Sequence, residues 1–250
     1  MKEKLKSVMS IGEEMLVSGA EIHRVEDSVN RMLSSLGAKR VDTFIITSSM
    51  VVTVHTEEGE VFTETRRIIS YGTDLERLHL LNALSRRICK ETLTAEEIDR
   101  ELERIAGTKN YPLWLEFISY ALIAGAFTLF FGGTFLQAAI SLFAGALVRA
   151  VILVADKTVK NRIFSKFIAS FAATLVAYSA VWLGLTDNFD YIIIGNIMTL
   201  IPGIGLTNAL RDIFTGDSIT GILRLLEALI SALAIAAGYF ALVAIGGMLV

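Results

Sequence analysis

Between Glu116 and Arg149 lie 32 consecutive residues without a formal charge. That run is too long for one membrane crossing of about 20 residues and long enough for two joined by a tight turn. Gly132-Gly133 is the natural turn. The same reasoning predicts spans at about 113–131, 134–153, 166–184, from about 190 onward, and at about 222–248. A chain that is 53% hydrophobic with a mean hydropathy of +0.58 fits that class and no ordinary soluble domain.

The charges are segregated. Residues 1–112 hold 16 Lys/Arg and 19 Asp/Glu, whereas residues 113–250 hold seven of each. The sequence therefore predicts two domains, 1–112 and 113–250. A net charge of −3 gives no reason to expect nucleic acid. The single cysteine, Cys89, excludes an intrachain disulfide and is expected as a buried or idle thiol in a helix. The first 30 residues lack the apolar segment of a secretory signal.

The polar domain reads as α+β. Residues 3–18 and 20–36 carry apolar residues at helical spacing, and Gly37 is a terminal cap. Residues 40–47, 50–56 and 61–68 alternate like strands of a small antiparallel sheet, with a turn at Glu57-Glu58-Gly59-Glu60. A helix follows over about 75–90. Thr94 and Glu97 form a capping box that starts another, running to about 106. Glu21, His23, Arg24, Glu26, Asp27 and His55 are the residues here with chemistry to offer. They make no complete catalytic set, and no P-loop, GxSxG, HExxH or Cys/His cluster accompanies them. No cofactor or metal is expected.

In the membrane part, cations set the orientation. Lys157, Lys160, Arg162 and Lys166 mark one loop as cytoplasmic, while the turn at 132–133 is uncharged and the loop between the third and fourth spans carries only Asp187 and Asp190. Arg211 and Arg224 fall on the cytoplasmic side as well. Lys109, Pro112 and Trp114 mark the entry to the bilayer. The expectation is an inner-membrane protein with a cytoplasmic amino-terminal domain and an external carboxyl terminus. Gln137, Ser141, Gly145 and Arg149, and then Ser170, Thr174 and Tyr178, recur at four-residue steps, a pattern for helix packing. Arg149, Arg211, Arg224 and Glu227 sit near the cytoplasmic boundary, where interfacial anchoring is the competing role.

The fourth span departs from a plain helix. Asn196, Thr199, Pro202, Gly203, Gly205, Thr207 and Asn208 interrupt an apolar run, and Arg211, Asp212 and Asp217 follow. Proline and glycine predict a break. Freed backbone groups at membrane depth need protein or a wet cavity around them, the arrangement of transporter substrate sites.

The segments PGIGLTNALRDIFTGDSITGILRLLEAL and SGAEIHRVEDSVNRMLSSLGA resemble the signatures of the threonine/serine exporter family. The resemblance covers about residues 10–245, in the family's short, split form. Position 205 is glycine where many members carry proline, which puts the local backbone shape in doubt. The resemblance implies a five-span helical bundle with a broken fourth helix. It implies export of small carboxylate metabolites, threonine and serine or succinate-like dicarboxylates. It further implies a second membrane subunit that supplies the other half; the amphipathic helices of the amino-terminal domain add the expectation of an oligomer. The resemblance carries over Pro202, Gly203, Thr207, Asn208, Arg211, Asp212 and Asp217, and the polar Asn196 and charged Glu227 join them from the residues themselves. Asn196, Pro202, Gly203, Thr207, Asn208 and Arg211 are the expected substrate-binding set, with Asp212, Asp217 and Glu227 for coupling or gating. Arg211 is expected to pair with a substrate carboxylate, or else with Asp212 to hold the loop. The rival readings are a membrane-tethered enzyme with its active part in residues 1–112, and a regulatory subunit.

Overall fold

The computed structural model describes residues 1–246 except 70, 92, 109, 110 and 160. Lys109 and Lys160, which entered the orientation argument, lie outside the described residues, as do residues 247 and 248 of the last expected span. The described chain separates into two compact units. Unit 1 comprises residues 1–109 and 207–225; unit 2 comprises residues 110–206 and 226–250.

In unit 1, α1 (Lys2–Val17) and α2 (Ile22–Ser35) precede the sheet of β1 (Arg40–Ile46), β2 (Ser49–His55) and β3 (Val61–Arg67). The strands pair antiparallel in sequence order, with Arg40 opposite His55 and Ser49 opposite Arg67. Period-two alternation puts Met50, Val52 and Val54 of the central strand fully inside. The helices present Leu5, Val8, Met9, Met32 and Leu33 to the same core. Gly12 lets α1 approach closely, since a Cβ there would lie 3.0 Å from Val29. Next come α3 (Leu75–Ile88), capped by Asp74, and α4 (Ala95–Ala106), opened by the reciprocal Thr94–Glu97 capping box. Cys89 caps the end of α3 and is exposed, so the expectation of a buried thiol is corrected: a cap residue one step beyond the buried Ile88 has left the apolar face.

Unit 2 holds α5 (Leu113–Phe130), α6 (Phe135–Thr158) and α7 (Arg162–Trp182), followed by the short α8 (Asp190–Ile197). After α8 the chain turns over 198–202 and resumes as α9 (Gly203–Thr215), then α10 (Ser218–Gly246), which runs from unit 1 into unit 2. Four described helices, α5, α6, α7 and α10, have the length and composition to cross a membrane. The fourth span, expected to be broken, is divided: α8 has eight residues and α9 has 13, neither of spanning length. The break falls where Pro202 withholds a backbone donor.

Small residues bring these helices together. A Cβ on Gly145 would lie 2.6 Å from the Tyr120 carbonyl of α5, and one on Gly195 of α8 would lie 2.7 Å from that of Ala124. Ala169, Ala173, Ala177 and Ala180 form the buried stripe of α7. Thr128 Oγ1 donates to Ser141 Oγ at 2.7 Å, and Ser170 Oγ donates to the Ile235 carbonyl at 2.7 Å. Gln137 opens α6 in a capping box with Thr134 and donates to Thr186 Oγ1 and the Asn188 carbonyl. Arg149 pairs with Glu116 and stands over the Tyr120 ring, 5.6 Å from its centroid. The four-residue polar stripes are thus packing surfaces.

Candidate functional site

The two signature segments meet inside unit 1. The α1–α2 turn needs Gly19 at φ +94, and a Cβ there would press on the Gly72 carbonyl at 2.8 Å. That turn leaves the carbonyls of Gly19 and Ala20 available as acceptors. Asn208 Nδ2 of α9 donates to the first at 3.4 Å and Arg224 Nη2 of α10 to the second at 3.4 Å. Glu21, the residue that precedes α2, takes Arg211 as its ion partner, with Arg24 at 3.8 Å.

Within α9, Ala209 and Asp212 lie on one buried face at helical spacing. Asp212 is 1% exposed. Arg224 Nη1 donates to its Oδ2 at 2.8 Å, while Oδ1 is buried without a hydrogen-bond partner among the described residues. Arg224 also lies over the Tyr71 ring, 5.5 Å from the centroid. The elbow between α9 and α10 is tight. Gly216 adopts φ +104, the Asp217 amide donates to the Asp212 carbonyl at 2.9 Å, and a Cβ on Gly221 would lie 2.5 Å from Ile213. Burial raises the Asp212 carboxyl above its usual range. Arg224 opposes that shift, and the negative charges of Asp217 and Glu21 add to it. Glu26 is raised in the same way, first by burial and then by Asp217, against the Ile45 amide that donates to it at 3.1 Å and against His23.

The site residues expected from sequence are therefore distributed. Asn208, Arg211, Asp212 and Asp217 join Glu21, Glu26 and Arg224 in one charged cluster, and Thr207 belongs to the same unit as an exposed residue. The expected alternative pairing of Arg211 with Asp212 is not formed. Successive helix positions point about 100° apart, and each residue takes a distant partner instead. Asn196, Pro202, Gly203 and Glu227 belong to unit 2. Asn196 is fully buried on α8; its Nδ2 donates to the Ile192 carbonyl at 2.8 Å, and its Oδ1 has no partner among the described residues. Pro202 and Gly203 form the break, where a Cβ on Gly203 would meet open space. Glu227 is exposed on α10. Arg224 was legible only as an anchor, and Tyr71 carried no signal at all. Among the described residues no group of three or more His, Cys, Asp or Glu has metal-binding geometry.

Helices of spanning length joined by small-residue contacts define a polytopic membrane protein. The chain belongs to the threonine/serine exporter family, because the family model described as "Putative threonine/serine exporter" matches residues 6–246. That is a family of exporters, not of enzymes, which removes the tethered-enzyme reading. The chain is 25% identical over 236 residues to the "Probable succinate transporter subunit YjjP" of Escherichia coli, covering 94% of this chain and 91% of that one. It is 24% identical over 185 residues to the "Probable threonine/serine exporter" of Mycobacterium tuberculosis, covering 74% of this chain and 35% of that one. A "Pheromone-regulated membrane protein 10" of Eremothecium gossypii is 22% identical over 243 residues, covering 92% of this chain. The chain spans about a third of that fungal protein's length, 32%. No solved structure matches the chain.

Proposed function

We propose that this protein is one subunit of an inner-membrane exporter of small carboxylate metabolites, working with a second membrane subunit in an oligomer. The family supports transport as the activity. The relative named as a succinate transporter subunit, matched over nearly its whole length, supports the split organisation. Serine, threonine and succinate share a carboxylate, and that group is the feature this site recognises.

The observation that carries the reading is Arg211. Its side chain is 52% exposed and its ion partner is a carboxylate, Glu21, that is itself mostly covered. A guanidinium matched to one carboxylate is matched to another, so a substrate carboxylate can take the place of Glu21. Asn208 and Thr207 offer neutral hydrogen bonds beside it, and Asn196, Pro202 and Gly203 serve the membrane path. Asp212, Asp217 and Glu227 serve coupling or gating. The fourth of five crossings in chain order consists of α8 with residues 198–206. Its support is internal to unit 2: Gly195 packs on Ala124 and Thr128 of α5, and Leu200 is buried with Val148, Ala173 and Ile235. Residues 1–112 form a cytoplasmic domain and the carboxyl terminus lies outside, on the cation distribution.

The test is efflux of labelled serine, threonine and succinate from cells lacking their own exporters, with and without a candidate second subunit. Arg211→Lys keeps the charge but loses the fork, and its efflux is expected to fall at least tenfold. Unchanged efflux in that variant would remove Arg211 as the carboxylate anchor.

A further inference from the structure

We propose that the Asp212 carboxyl is a proton-binding site, with Oδ1 the atom that takes the proton, and that protonation loosens α9 from Arg224 of α10, the side chain that links Asp212 to the α1–α2 turn. The geometry supplies the argument. Asp212 is 1% exposed, and among the described residues only its Oδ2 has a hydrogen-bond partner, Arg224. A buried carboxylate oxygen without a partner is costly, and one proton removes the charge that makes it so.

The charges facing this group come from every element around it. Asp217 at the α9–α10 elbow and Glu21 ahead of α2 are the acidic neighbours, and Arg224 of α10 is the cation. Glu21 is in turn engaged by Arg211 of α9 and by Arg24 of α2. Glu26 of α2 faces Asp217 and His23. The cluster thus sets four carboxylates, Glu21, Glu26, Asp212 and Asp217, against three guanidiniums, Arg24, Arg211 and Arg224.

The consequence is mechanical. When the proton sits on Oδ1, Arg224 loses an ionic partner and keeps a carbonyl, that of Ala20, and the Tyr71 ring. Asn208 to the Gly19 carbonyl and Arg211 to Glu21 tie α9 to the turn directly and do not depend on the Asp212 charge. Arg211 is the residue assigned above to the substrate carboxylate. On the exporter reading, proton uptake at Asp212 and carboxylate capture at Arg211 act on the same helix. The inference rests on that reading only for its physiological role; proton binding itself is measured without transport.

The experiment is an infrared pH titration of the purified full chain in lipid nanodiscs, following the carboxylic-acid carbonyl stretch. A band is expected whose midpoint lies above the ordinary aspartate value of about 3.9 and which is missing from D212N. R224Q is expected to tighten proton binding about tenfold, whereas D217N and E21Q weaken it, because the first removes a cation and the others remove anions. Should D212N fold poorly, those three shifts still decide the question. A D212N titration that overlays the wild type, or midpoints that R224Q and D217N leave in place, would overturn the proposal. Normal band shifts in a chain that exports none of the three substrates even with its second subunit present would sink the exporter reading and leave this site standing.

Discussion

The two units solve opposite packing problems. Unit 1 encloses long side chains: Leu5, Met9, Met15, Leu16, Ile22, Met32 and Leu33 are each at most 1% exposed. Unit 2 encloses mainly alanines, glycines and hydroxyl residues with a few larger ones such as Ile192 and Leu200, and turns many of its large residues outward: Phe135 is 86% exposed, Phe143 66% and Leu233 69%. Water drives apolar area inward in the first case. In lipid that drive is absent, so close backbone approach and hydrogen bonds between helices hold the second. The same leucine therefore signals an interior in one region and an exterior in the other.

Leu33→Ala should show the largest effect, a loss of about 2–5 kcal/mol from unit 1, read as a lower melting temperature of the purified protein. Gly195→Ala comes next, at about 1–3 kcal/mol by overpacking, because its methyl has no room between Ala124 and Thr128. Glu26→Gln probes the electrostatics of unit 1. A carboxyl raised by burial contributes stability that is full at acid pH and lost as pH rises through its folded value. The variant should therefore gain on the wild type at pH 8 and lose that advantage toward pH 4. Leu233→Ala should change stability by no more than about 0.5 kcal/mol. A Leu233→Ala cost equal to that of Leu33→Ala would mean that protein, not lipid, covers this face of α10, and the contrast between the units would fail.

Local features were legible in sequence wherever a short-range rule sets them. Strand alternation bounded by turns predicted 40–47, 50–56 and 61–68, and the strands run Arg40–Ile46, Ser49–His55 and Val61–Arg67. Thr94 and Glu97 announced their box because the motif closes within three residues. Pro202 and the glycines announced a break, but not how little helix precedes it. Contacts between distant residues were the hidden part. Arg211 meets Glu21 across 190 positions, and Arg224 meets the Ala20 carbonyl across 204. Adjacency suggested Asp212 as the partner of Arg211, whereas the direction of helical side chains forbids it. The resemblance pointed to both segments and was silent on their meeting.

The amide of Gln137 gives α8 a fulcrum. By gripping the Asn188 carbonyl at 2.9 Å, two residues before the helix starts, it fixes one end of an eight-residue lever. At 1.5 Å per residue that lever is roughly 12 Å long, so a tilt of about 10° displaces the far end by about 2 Å. Any swing of α8 is therefore delivered to the segment 198–202, where Pro202 has already interrupted the ladder of backbone hydrogen bonds.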